Sequence, residues 1–267
     1  MSLVKKLAFA PFFLLSFAFF NNQLDTVLKI PNAIFSLDTG VLVQLLTLAG
    51  LILLTSLFFV IFVSLSTDWK IVIPVLIIAI FFPAIFFKPP INYAVAILSL
   101  LSLSICFWLL QHRLKTYLEY RPTALFAPSI KLLVGLLVFT CSIGYFFVSK
   151  QQIEQKGFQI PDSIIESALK FTPQPQNLNQ TETASPVNMA KDLMKKTVND
   201  QFQALLKPYL KYVPFVQAVL FYLTLSFFVS IFSIFLSPVV FIFYYILEKT
   251  GFLKFTTETR VVKKMVV

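Results

Sequence analysis

The sequence predicts an all-α polytopic membrane protein, with about six transmembrane helices and a small helical extracytoplasmic insert. Three observations predict it. Of the 267 residues, 58% are hydrophobic and only 13% are charged, and the mean hydropathy is +0.83. A soluble domain averages about 25% charged residues, so water could not cover this much apolar surface. Second, the apolar residues gather into six runs, and about 20 helical residues at ~1.5 Å each cross a ~30 Å hydrocarbon core. Third, Lys and Arg concentrate in the pieces that alternating crossings would put on one side.

The first run, Leu7 to Phe20, follows Lys5-Lys6. It resembles a secretory signal peptide, but cleavage requires small residues at the −1 and −3 positions. The stretch SFAFFNNQ offers Phe there, so an uncleaved anchor is expected. The second run, Val41 to Ser66, spans with length to spare for tilt. The third, Ile71 to Phe87, contains Pro74 and Pro83 and leads into Lys88-Pro89-Pro90, a pattern for a kinked helix and a tight outer turn. The fourth is Ile91 to Leu110 and the fifth Ile130 to Val148. The sixth, Pro214 to Leu247, would reach about 50 Å as one helix. Pro238 removes a backbone donor and clashes with the preceding turn. A span over Pro214 to Leu236 is therefore expected, with a kink near Pro238. Val239 to Leu247 would then lie oblique at the inner interface, closed by Lys249 and a Gly251 cap. The resulting division is a membrane domain over 1–148, an insert over 149–213, and a last span with a basic tail over 214–267.

Charge sets the orientation. With the N-terminus inside, residues 1–6, 67–70, 111–131 and 248–267 face the cytoplasm and hold 2, 1, 4 and 5 Lys plus Arg. The short outer loops, 21–40 and 88–90, hold one each. The insert carries eight Lys, against the trend, but loops beyond about 60 residues cross largely regardless of charge. Both termini are thus expected in the cytoplasm, in a cytoplasmic or plasma membrane, with the insert outside.

Within the insert, TPQPQNLNQTETASPVN (172–188) has no Lys or Arg and little that could bury. It reads as a mobile linker between two short helices. In PDSIIESALKF, Ser163 and Glu166 stand at capping-box spacing. Ser185 and Pro186 open the second helix as N-cap and first residue. The apolar stripes predict a hairpin in which Ile164, Ile165 and Leu169 face Leu193, Val198 and Phe202. These six residues are the candidate partner-binding surface, for a protein on the extracytoplasmic side.

The sequence offers no sign of catalysis, of a cofactor or of a metal site. It has no HExxH, GxSxG, P-loop or GxGxxG motif. His112 is the one histidine, and it reads as a side chain reaching water at the inner end of the fourth span. Cys106 and Cys141 lie inside apolar runs without metal spacing, and are expected as free, small hydrophobes. Trp69, Trp108, Tyr209, Tyr212, Tyr244 and Tyr245 fit interfacial anchors. The net charge of +10 does not point to nucleic acid, because Lys dominates over Arg and no basic run exceeds two residues. No Asp, Glu, Lys, Arg or His lies well inside a span, where proton relays and ion sites normally place one. The expected role is a non-enzymatic envelope scaffold or accessory subunit in the lipid bilayer. The alternative is a transporter or channel for an uncharged or lipid-like solute, lined by Ser and Thr. A membrane enzyme ranks third.

This topology predicts opposite labelling of two positions. In a chain lacking Cys106 and Cys141, an impermeant thiol reagent added to intact cells labels Thr183→Cys and spares Lys263→Cys. Equal or reversed labelling overturns the orientation.

Overall fold

Hydrocarbon offers no partner to a backbone N–H or C=O, so a spanning segment must satisfy them internally. The computed structural model describes residues 3–30, 38–66, 68–116, 122–156 and 209–252, and all regular structure among them is helical. In chain order the helices are α1 (Leu3–Leu7), α2 (Ala10–Leu28), α3 (Thr39–Leu65), α4 (Trp69–Phe86), α5 (Ile91–Thr116), α6 (Pro122–Lys156), α7 (Val213–Ser233) and α8 (Leu236–Lys249). Six helical segments are long and apolar enough to cross a membrane: Lys5–Leu28, Thr39–Leu65, Trp69–Phe86, Ile91–Thr116, Pro122–Gln155 and Val213–Ser233. The chain is an all-α polytopic membrane protein. The two predicted insert helices and the linker 172–188 lie outside the described residues.

Local chemistry starts and stops these helices. Asp38 caps α3, its carboxylate accepting from the Val41 N–H at 2.8 Å, and Asp68 caps α4 through the Lys70 N–H at 3.1 Å. α2 and α7 carry a proline in the first turn, where no N–H is needed. At the end of α8, Gly251 turns into the left-handed region at φ +66°. Its N–H donates to the Glu248 carbonyl and the Phe252 N–H to the Leu247 carbonyl, both at 3.0 Å, which closes the orphan carbonyls in a Schellman motif.

The helices run further than the apolar runs. α2 continues past Phe20 through Asn21, Asn22, Gln23 and Asp25. Asn21 is fully buried and donates from Nδ2 to the Phe17 carbonyl at 2.7 Å, so a polar residue that interrupts hydropathy does not interrupt the helix. An Asp25–Lys29 ion pair closes its last turn. α5 and α6 together absorb most of 111–131, leaving only 117–121 between them, and α6 extends over the first residues of the 149–213 segment. The last apolar run breaks at Ile234-Phe235, where the N–H groups bond three residues back, to Ile231 and Phe232. Pro238 has no N–H for the Ile234 carbonyl, so the break falls one turn before the proline, and Pro238 sits in the first turn of α8.

α3 and α6 form the centre. α3 packs against α2, α5, α6 and α7, and α6 against α2, α3, α5, α7 and α8, while α4 lies outside against α2 and α5. Phe13, Phe17, Phe20 and Leu24 form one helical stripe on α2, and all are fully buried. Phe13 meets Phe59 of α3 at 5.1 Å between ring centroids and stacks with Phe62 at 6.5 Å. Tyr145 stacks on Phe221 at 4.6 Å, joining α6 to α7, and Phe126 on Tyr244 at 4.5 Å, joining α6 to α8. The opposite faces stay bare: Phe81 is 63% exposed, Ile85 71% and Phe227 63%. Soluble monomers rarely expose such contiguous apolar surface, and lipid tails are its natural cover.

In a bilayer the transfer term nearly vanishes, since lipid is as apolar as the core, and the packing term remains. Phe13→Ala therefore destabilises the bundle by about 2 kcal/mol through the cavity it leaves. Phe81→Ala, on the lipid side, costs little. Unfolding of the purified protein in a mixed-micelle titration checks this, and equal effects contradict the assigned faces.

Candidate functional site

Of the sequence-derived candidates, Ile164, Ile165, Leu169, Leu193, Val198 and Phe202 all lie outside the described residues. The described part of the chain brings together three other features: a set of polar bonds between helices, a groove and a cleft.

Contacts sort the helix ends into two sets. At one end, Lys5 stands over the Phe252 ring at 5.3 Å, Phe9 meets Phe243 at 5.5 Å, and Ser64 bonds Tyr244. Trp69 meets Phe107 at 4.1 Å, and Cys106 Sγ lies 3.6 Å from the Ser129 carbonyl. This end collects Lys5, Lys6, Lys70, Arg113, Lys115 and Lys249, with Lys131 one step deeper, against Asp68 and Glu248 among the described residues. At the other end, Gln23 donates to the Gln44 carbonyl at 3.3 Å and Ser149 to Gln217. There, among the described residues, Lys29, Lys88, Lys150, Lys156 and Lys211 stand against Asp25, Asp38 and Glu154, a smaller excess than at the first end.

Few hydrogen bonds cross between helices. Ser142 donates to the Ala218 carbonyl at 2.7 Å and Ser149 to Gln217 Oε1, fastening α6 to α7. Ser64 Oγ donates to its own helix at Ile61, so the 2.7 Å contact with Tyr244 has the phenol as donor, tying α3 to α8. Cys106 and Cys141 are both free and buried.

The groove, about 420 Å³, runs between α6 and α7 and is lined by Lys131, Gly135 and Val138 opposite Ser226, Ser230 and Ser233. Ser230 and Ser233 donate to the Ser226 and Val229 carbonyls at 2.8 and 2.9 Å. Their protons are committed to the helix, so they present acceptor lone pairs to the groove.

The cleft, about 620 Å³, lies at the basic end between the start of α4 and the end of α5. Trp69 of α4 lines it together with Phe107 and Leu114 of α5 and, from the same helix, Trp108, Gln111, His112 and Lys115. Those last four stand at i, i+3, i+4 and i+7, which puts them on one helix face. Trp108 and His112 lie nearly parallel at 6.2 Å. The buried Gln111 Nε2 has no hydrogen-bond partner, and no acidic side chain lines the cleft among the described residues. Sequence reasoning took His112, Trp69 and Trp108 one at a time and missed the cleft. The spacing of Trp108, Gln111, His112 and Lys115 was the available signal; the approach of Trp69 from another helix had none.

No known protein family, curated protein or solved structure matches this chain.

The Ser64–Tyr244 bond is testable alone. Interhelical hydrogen bonds in membranes average about 0.6 kcal/mol by double-mutant cycles. A cycle with Ser64→Ala and Tyr244→Phe is expected to give a coupling of that size in unfolding titrations, and zero coupling would mean that α8 is held by ring packing alone.

Proposed function

We propose that this chain is a non-enzymatic membrane scaffold or accessory subunit that carries the 149–213 segment to a protein partner outside the cytoplasm. The observation that carries the reading is the filled interior. Phe13, Phe17, Phe20, Phe59, Phe62, Phe107, Phe126 and Phe221 are all less than 2% exposed and make much of the interior aromatic. The serine and threonine hydroxyls of the spans turn mostly to their own helices, as Ser56 does to Ile52 and Thr140 to Leu136. Such a bundle suits a rigid mount better than a moving gate. The charge asymmetry of its two ends fits a cytoplasmic basic end, with the opposite end, and the segment that leaves α6 there, outside. The candidate contact surface remains Ile164, Ile165, Leu169, Leu193, Val198 and Phe202.

The α6–α7 groove favours a second reading, transport of an uncharged or lipid-like solute. Its hydroxyl acceptors and its lateral position beside lipid are the features such a solute would use.

Two measurements separate the readings. A photo-crosslinking residue at Phe202 is expected to capture one defined protein in intact cells, and a Leu193→Asp change in the same chain is expected to abolish that adduct. Purified protein in liposomes is expected to leave glycerol permeability unchanged. Glycerol flux that is lost in Ser230→Trp would overturn the scaffold reading in favour of transport.

A further inference from the structure

We infer that the α4–α5 cleft is a binding site for the glycerophosphate headgroup of an anionic phospholipid, taken from the leaflet at the basic end of the bundle. Four observations converge on it. The cleft, about 620 Å³, falls within the ~300–1,000 Å³ typical of small-molecule sites. Its polar wall consists of donors and cations: the Lys115 ammonium, the His112 imidazole and the Gln111 amide. Gln111 lines the cleft and its Nε2 has no hydrogen-bond partner, so a turn of the side chain that brings the amide to a phosphate or ester oxygen would satisfy it. Among the described residues no carboxylate lines the cleft, and Lys70 and Arg113 adjoin lining residues in the chain, as Asp68 does.

The aromatic wall gives the depth. Indoles sit at the headgroup level of a bilayer, where one edge is wet and one apolar. Trp69 and Trp108 are 48% and 63% exposed and belong to neighbouring helices, so both frame the cleft at that level. Leu114, which is partly buried, extends the lining with apolar surface that matches the start of an acyl chain. A soluble anion would use only the polar wall. A phospholipid uses both walls and arrives by lateral diffusion. Basic clefts between membrane helices recognise anionic headgroups by this combination of charge and depth.

The chain has two tryptophans and both line the cleft, so its indole fluorescence reports on this site alone. The full chain is reconstituted in phosphatidylcholine vesicles containing a minor fraction of dibrominated lipid, either phosphatidylglycerol or phosphatidylcholine. Bromine quenches indoles only at short range. The brominated phosphatidylglycerol is expected to occupy the cleft about fivefold more strongly, as ~1 kcal/mol per basic residue at the surface implies. The Gln111→Leu, Lys115→Gln double variant is expected to bring that ratio near one, while Lys88→Gln at the opposite end leaves it unchanged. Equal quenching by the two lipids in the unmodified protein overturns the proposal, whatever the variants do. A preference that survives the double variant overturns it too, since general surface charge would then be the cause. Inorganic phosphate at tens of millimolar is expected to leave the quenching unchanged; relief of quenching by phosphate would show a soluble-anion site instead.

Discussion

Hydrocarbon cannot hydrogen-bond, and the whole architecture follows from that constraint. Most backbone amides in a span are answered within their own helix. Many side chains follow the same rule: Ser16 donates to Phe13, Ser102 to Leu98 and Thr224 to Leu220, all within one turn, whereas the buried hydroxyls of Thr55, Ser99 and Ser129 have no partner. Once the polar groups are closed inside helices, little remains to hold one helix to another except shape. The phenylalanine rings supply that shape. They meet between α2 and α3, join α6 to α7 and α8 with the help of Tyr145 and Tyr244, and leave a second set of rings facing outward to lipid. Because lipid is as apolar as the core, the inner rings are distinguished from the outer ones by packing density and not by escape from water.

The bonds that do cross between helices occur where they can set register. Ser142 and Ser149 on α6 are seven residues apart and reach Ala218 and Gln217 on α7, so one face of α6 is pinned at two levels. Ser64 and Tyr244 perform the same service for α3 and α8 at the basic end. Aromatic packing joins the helices at the same levels, through Phe126 with Tyr244 and Tyr145 with Phe221.

The two ends give the molecule its direction. Among the described residues, cations outnumber acids more strongly at the end where α2 begins and α8 closes than at the other. The same asymmetry places the α4–α5 cleft among positive charge and the α6–α7 groove beside Lys131, whose long stem can carry its ammonium towards the headgroups. The two concavities thus offer different chemistry to the same membrane: hydroxyl acceptors in the groove, donors and cations in the cleft.

The helical class, the number of long apolar helices and their order were legible in the sequence, because hydropathy and length are additive properties of a segment. The Gly251 cap was legible for the same reason, since it acts within one turn of the chain. The extent of helices was less so. Asn21 reads as the end of an apolar run, yet it stays inside α2 because its amide finds the Phe17 carbonyl and its face is covered by neighbours. Pro238 announced a break, while its position at Ile234-Phe235 follows from which carbonyl the proline leaves unbonded. The six candidate residues of the 149–213 segment rest on sequence patterning alone. Only the tertiary structure decided which phenylalanines face in, since α3 is apolar on every side and its pattern names no inner face. It alone brought Trp69 to Trp108 and Gln111. A site built from two helices depends on their relative rotation, and that rotation is set by side-chain packing between segments distant in the chain, which no local pattern encodes.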